Sequence, residues 1–387
     1  MIMNRLLIFT FLTFFSFQLI GQDSIAPIKT ELAFKGQLSA WGLLNGNNNY
    51  PLHLGARYIP QTNFEIQLPK QKLIDFEAST SLFTDAGIHF FDSTHIQTDA
   101  GLYRLWGRYS TQQLEIRFGL QKIDFGSAVM LRSLRWFDQV DNRDPLRLTS
   151  GVYGGLIRYY FLNNTNVWLW ALYGNKNPKG MEFLKSNDRI PELGGRIQSP
   201  IPGGEGGISY HFRNADSRDL GGIVNPYSKI PENRIGIDAK WDWVVGIWLE
   251  AVWVNSAKDL GPFKNQEIFT AGMDYTFGIG SGLHITMEHM LAAFDQSAFQ
   301  FSQTSNFTAL SASYPIGMFD NLNVIVYYDW TNNNLYNFIN WFKQFNNYSI
   351  YLMGYLNPKN NQLSFLGTSG ENLFKGAGMQ LMFVWNH

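Results

Sequence analysis

Seven charged side chains crowd one stretch of this sequence: Arg132, Arg135, Asp138, Asp141, Arg143, Asp144 and Arg147, interleaved with Trp136, Phe137 and Leu146. Guanidinium groups at this density can hold carboxylate or phosphate groups through paired, charge-assisted hydrogen bonds. Asp138, Asp141 and Asp144 could suggest calcium, but with arginines between and beside them ion pairing is the simpler reading, and no metal is expected. Covalent chemistry finds little support. There is no Gly-x-Ser-x-Gly elbow and no His-Glu-x-x-His, and the seven histidines are scattered, with His289 expected to face lipid and His284 the interior. The Gly-Thr-Ser-Gly run at 367–370 only loosely resembles a nucleophile turn. The Pro-Gly-Gly run at 202–204 has no Gly-Lys-Ser/Thr after it, so it reads as a turn rather than a phosphate loop. No enzyme activity and no cofactor are expected; the chemistry on offer is electrostatic selection.

Two strands must position these charges. Before them, Leu114, Ile116, Phe118 and Leu120 alternate with Glu115, Arg117, Gly119 and Gln121; after them, Ile157, Tyr159 and Phe161 alternate with Arg158 and Tyr160. Each strand therefore has a wet face and an oily face. The connection of some thirty residues between them is long enough to suggest a function. An exposed loop has no reason to carry Val129, Met130, Leu131, Leu134, Trp136 and Phe137, so the segment is expected to fold inward and narrow a lumen. Arg104, Arg108, Arg117 and Arg158 on neighbouring strands are expected to line the pore with the seven charges of the loop. Asp238, Glu250, Asp274, Glu288 and Asp329 would form a facing, carboxylate-rich wall. Opposed charges of this kind orient solutes at a constriction, and the arginine excess predicts a mild anion preference.

The rest of the chain repeats this pattern. Aromatic residues make up 16% of it and charged residues only 16%, against about 25% in ordinary soluble domains. Asn4 and Arg5 followed by an apolar run at 6–20 read as a secretion signal over 1–21, too short to span a bilayer, with a periplasmic tail at 22–30. With no cysteine, neither a lipoprotein anchor nor a disulfide framework is available. A formal net charge of −1 leaves no general footprint for nucleic acid. From 31 to 387 the alternation predicts an all-β, transmembrane antiparallel barrel of about eighteen strands of about ten residues each.

Those strands are expected at 31–42, 52–59, 73–83, 98–110, 113–122, 152–162, 167–173, 195–199, 205–213, 233–240, 244–254, 267–277, 283–290, 307–314, 322–330, 338–345, 348–356 and 374–385. Pro60 and Pro69 predict a broad turn between the second and third. Short turns alternate with long connections near 84–97, 123–151, 175–193, 214–231, 255–266, 291–304 and 357–373, the long ones expected outside. A soluble secreted sandwich or barrel is the weaker alternative. On the last strand Leu381, Phe383 and Trp385 share one face behind Gly378, which is similar to the terminal pattern that the barrel-assembly machinery reads.

Several segments resemble the porin families grouped around alginate-export-type, eighteen-stranded outer-membrane barrels of Gram-negative bacteria. They are Arg57-Tyr58-Ile59-Pro60, the run from Arg117 to Gly126, Asp141-Asn142-Arg143-Asp144-Pro145, Arg158-Tyr159-Tyr160-Phe161 and the run from Pro191 to Arg196. The resemblance implies a channel in the outer membrane; with the arginine wall able to contact carboxylate or phosphate groups, small hydrophilic, anionic or saccharide-like solutes, or export of an acidic polysaccharide, are expected. The expected partners are outer-membrane lipid, the barrel-assembly machinery and the small-molecule or oligosaccharide solute. A second class of function stands beside it: a plugged barrel that serves as scaffold or docking partner for another secreted component.

Overall fold

The computed structural model describes residues 28–47, 50–220, 225–359 and 374–387. Among them, four strands of 17 residues come first: β1 (Lys29–Asn45), β2 (Leu52–Leu68), β3 (Lys72–Ile88) and β4 (Thr94–Ser110). Three short ones follow: β5 (Leu114–Gln121), β6 (Val152–Tyr160) and β7 (Asn166–Leu172). Next come β8 (Glu192–Ile201), β9 (Gly204–Asp216), β10 (Ile230–Asp242), β11 (Gly246–Ser256), β12 (Asn265–Phe277) and β13 (Leu283–Asp295). The last five are β14 (Thr304–Pro315), β15 (Asp320–Asp329), β16 (Asn334–Gln344), β17 (Tyr348–Leu356) and β18 (Ala377–Asn386). The sheet counts nineteen strands because the two-residue piece Lys185–Ser186 also pairs with the end of β9.

Every stave pairs antiparallel with its neighbours, and β1 pairs with β18 from Gln37↔Asn386 to Asn45↔Gly378. The ring is closed. In a bilayer an unpaired backbone group costs several kcal/mol, so closure is what allows strands to span it. The alternation sorts the side chains accordingly: Phe118 is 74% exposed while Arg196 is 3%, the reverse of a water-soluble protein. Leu38, Leu105, Ile157, Leu169, Ile208 and Leu381 face outward with Phe118, and His289 is exposed with them, whereas His284 borders an interior cavity.

Three expectations need correction. The broad turn at Pro60 does not exist, because β2 runs unbroken from Leu52 to Leu68. Proline lacks an N–H, and the ladder to β3 is interrupted where it falls: Tyr58 pairs with Leu82 and Gln61 with Ser79, with a bulge between Ser79 and Thr80 on the β4 side. The gap in the β2–β3 ladder at Ile59 and Pro60 is where this strand tolerates a residue that cannot donate. The long connection at 84–97 is also mostly strand, since β3 continues to Ile88 and β4 begins at Thr94. Seventeen tilted residues span about 40 Å, well beyond the roughly 25 Å apolar band of such a barrel. The far half of β4 therefore needs no oily face, and residues 94–102 are exposed on both sides. Finally, β1 starts at Lys29, inside the expected tail, and the closing strand starts at Ala377 rather than 374. The expected signal segment, residues 22–27 of the tail and the run at 367–370 lie outside the described residues.

The remaining long connections fall on one rim and the short turns on the other. This predicts that Asp188→Cys and Lys258→Cys react with a membrane-impermeant maleimide on intact cells, while Gln112→Cys and Asn164→Cys react only after lysis. The opposite pattern would invert the orientation.

Candidate functional site

The segment between β5 and β6, residues 122–151, lies inside the ring, and two glutamates hold it there. Glu250 on β11 accepts hydrogen bonds from the backbone N–H groups of Ser127 (2.7 Å), Ala128 (2.8 Å) and Leu134 (3.0 Å). Glu288 on β13 accepts from Val129 (2.6 Å), Met130 (2.9 Å) and Leu131 (2.5 Å), and from the Trp248 indole (3.0 Å). Both carboxylates are 2% exposed or less, so their negative charge is met by inward-pointing N–H dipoles instead of water. This corrects the facing wall: Glu250 and Glu288 are clamps for the loop and not free charges of an aperture. Thr270 on β12 adds a hydroxyl that donates to the Leu131 carbonyl at 2.7 Å.

Five of the six apolar residues named for the segment are buried as expected, while Val129 is 43% exposed. Leu131, Leu134, Trp136 and Phe137 pack with Ile123, Phe125 and Trp170 in one cluster. Gly236 on β10 permits this approach: a Cβ there would stand 2.3 Å from Leu134. Contacts to β4, β10, β11, β12 and β13 from one short segment are possible only from within the barrel, since Arg104 of β4 also donates to the Thr149 carbonyl at 2.9 Å.

The charges of the segment mostly satisfy one another. Arg132 pairs with Asp138 at 2.7 Å and Arg143 with Asp141 at 2.6 Å. Arg135 donates to the Val140 carbonyl. Asp144 accepts from the Leu146 and Leu148 N–H groups, and burial, only partly offset by those bonds, pushes its carboxyl above the usual aspartate range. Arg147 differs. It is exposed, it has no carboxylate within ion-pair distance among the described residues, and its backbone sits at φ 47°, where non-glycine residues are uncommon.

On the wall behind, Arg108 makes a two-pronged pair with Asp75 (2.9 and 2.7 Å). Arg117 and Arg158 reach Glu115 at 3.0 and 3.6 Å and lie against Trp106 and Trp168. Arg104 rests on the Tyr103 ring. The predicted arginines of the wall are thus brought together, but with acids among them. Arg57 on β2, stacked on Phe83 with no acid within ion-pair distance among the described residues, was not in the expected constriction set.

Between the loop and strands β13–β17 an open cavity of about 540 Å³ is left. Thr286, Ser311, Ser313, Asn321, Asn323 and Asn340 give its wall a neutral, polar stretch, Arg147 and Asn142 come from the loop, and Val129, Met130, Ile325 and Phe342 add apolar surface. The Ser311 and Ser313 hydroxyls donate to Asn323 and Asn321 at 3.0 and 3.1 Å. The signal was present as Ser-x-Ser facing Asn-x-Asn at period two on consecutive strands, but attention to charge passed over it. A second group of inward charges lies nearby, of which the alternation of the strands marks only Arg213 and Arg234 as inward. Residues of the connection 173–191 turn in beside the first loop, where Lys179 and Glu182 join Glu192, His211, Arg213, Glu232 and Arg234 in a buried ion-pair network. The Met181 N–H donates to the Arg135 carbonyl at 3.2 Å and ties the two inward segments together.

At the seam, Leu381, Phe383 and Trp385 face out together with Met379, whereas Gly378 faces in. A Cβ at Gly378 would lie 2.1 Å from the Tyr355 hydroxyl, which accepts a hydrogen bond from Asn45 at 2.8 Å.

A closed ring of eighteen antiparallel staves with an oily exterior and a polar interior defines a transmembrane β-barrel of the outer membrane. Its fold is that of outer-membrane porin barrels. The chain is similar to Acinetobacter baumannii OccAB2, at 8% identity over 92% of this chain and 98% of that one, with a TM-score of 0.55. Acinetobacter baumannii OccAB4 matches at 10% identity over 92% and 98%, TM-score 0.54. Pseudomonas aeruginosa OccD3 (OpdP) matches at 9% identity over 95% and 94%, TM-score 0.54. No family model matches the sequence, and no curated protein does.

Proposed function

We propose that the chain is a passive channel through which small hydrophilic solutes, anionic or saccharide-like, cross the outer membrane. The observation that carries this reading is the inward segment 122–151, clamped to one side of a closed ring and leaving a polar cavity of about 540 Å³ beside it. Amides and hydroxyls along one wall replace a solute's water hydrogen bonds without holding it tightly, which conduction requires. Arg147 and Arg57, neither within ion-pair distance of an acid among the described residues, supply positive charge; the paired Arg108, Arg117 and Arg158 supply less. Arg132, Arg135, Asp138, Asp141, Arg143 and Asp144 act here by fixing the shape of the loop, and Arg104 by anchoring its return.

Single-channel recording after reconstitution tests the reading. Discrete conductance steps are expected, and their absence would favour the plugged scaffold. In a salt gradient, Arg147→Gln combined with Arg57→Gln should move the reversal potential toward cation preference, and Arg158→Gln combined with Glu115→Gln, which removes a cation together with an anion it pairs with, should move it less. Equal shifts, or none, would remove the two unpaired arginines from the argument.

A further inference from the structure

We infer a separate binding site, at the rim that carries the long connections, for a small neutral apolar molecule bearing one hydrogen-bond acceptor. A cavity of about 250 Å³ lies between the two inward segments and the ends of β9–β12. Trp136, Met181, Phe183, Val254, Leu260 and Phe263 line it. A dry cavity of about 150 Å³ lined by such residues accommodates benzene, so this one has room for a substituted ring. The charged groups at its border offer nothing to an ionic ligand, because they are already matched. Arg213 pairs with Glu182 at 2.8 Å and Glu232 at 2.6 Å, and Arg234 with the same two at 2.9 and 2.6 Å. Arg135 also borders the cavity and donates to the Val140 carbonyl, so no charged group there is left open, and an incoming charge would have to lose its water without gaining a partner.

One polar atom is different. The Trp136 indole nitrogen is buried and has no acceptor among the described residues. A buried donor left unsatisfied costs about 1–3 kcal/mol, and a ligand carbonyl or ether oxygen would remove that cost. The site is distinct from the polar cavity beside Arg147 and does not depend on whether the lumen conducts.

The test is fluorine NMR of three para-fluoro probes with the full chain in lipid nanodiscs, empty nanodiscs being subtracted: fluoroacetophenone, fluoro-ethylbenzene and fluorobenzoate. Saturable line broadening is expected for the ketone, affinity weaker by about fivefold for the hydrocarbon that lacks the acceptor, and none for the anion. Val254→Trp should fill the cavity and abolish the saturable component. Leu260→Trp does the same from a connection instead of a stave, and serves if the first variant fails to assemble. Trp136→Phe should keep hydrocarbon binding and erase the advantage of the ketone. Broadening no greater than in empty nanodiscs, broadening unchanged in the filled variants, or equal binding of the benzoate would each overturn the proposal.

Discussion

With Glu250 and Glu288 both replaced by alanine, single-channel conductance should rise by about twofold or more, because conductance follows the narrowest cross-section and the clamp that sets it is gone. Six backbone N–H groups between Ser127 and Leu134 lose a carboxylate acceptor in that variant. Hydrogen bonds to a charged group contribute about 1.5–3 kcal/mol each, so half of them would already suffice to hold the segment. The double variant should also lose amide protection over 127–134 while keeping the heat-modifiable mobility of a closed barrel. Glu250→Gln retains one carbonyl oxygen and should give a smaller change. Unchanged conductance together with unchanged protection would mean that the apolar cluster around Leu134, Trp136 and Phe137 holds the loop without the glutamates.

Deleting residues 382–387 should abolish membrane-integrated, heat-modifiable protein while leaving export intact. The deletion removes the pairing of Gln37–Trp41 with Met382–Asn386 on one side and of Tyr348–Tyr351 with Met382–Trp385 on the other. β1 and β17 would then each expose backbone groups to lipid over that length, at several kcal/mol per group. The outward stripe of Phe383 and Trp385, the expected recognition element for assembly, goes with it. Normal folding of this truncation would eliminate both the closure argument and the recognition argument.

Strand positions were legible wherever one face met lipid and the other water, because that contrast imposes a strict period of two on residues such as Leu114 to Leu120. They were illegible where the contrast vanishes. Thr94 to Gln97 stand beyond the apolar band, both faces are wet, and the sequence there looks like a loop although it is strand. Pro60 misled for another reason: the ladder break that accommodates it is formed by residues of β3, about twenty positions away.

For the site, composition identified the inward segment correctly, since buried Trp136 and Phe137 make no sense outside. Some partners were also within reach, because Asp141 and Arg143 are two residues apart. The clamps were not. Glu250 and Glu288 resembled every other inward acid, and no local spacing relates them to Ala128 or Met130. What distinguishes them is a set of backbone donors more than a hundred positions earlier, a relation that exists only once the ring has formed.

That separation also constrains the order in which the protein can be made. The inward segment precedes its acceptors by 116 to 159 residues, so as the chain is delivered from its N-terminus the backbone N–H groups of 127–134 have no carboxylate to dock on until β11 and β13 arrive. Contacts this distant form late, and exposed apolar segments invite aggregation in the meantime. The segment cannot be threaded into a finished cylinder either, because both its ends are staves of the wall. It must lie on the curling sheet and be enclosed as β18 meets β1, which makes the narrowing of the lumen and the sealing of the barrel parts of one event.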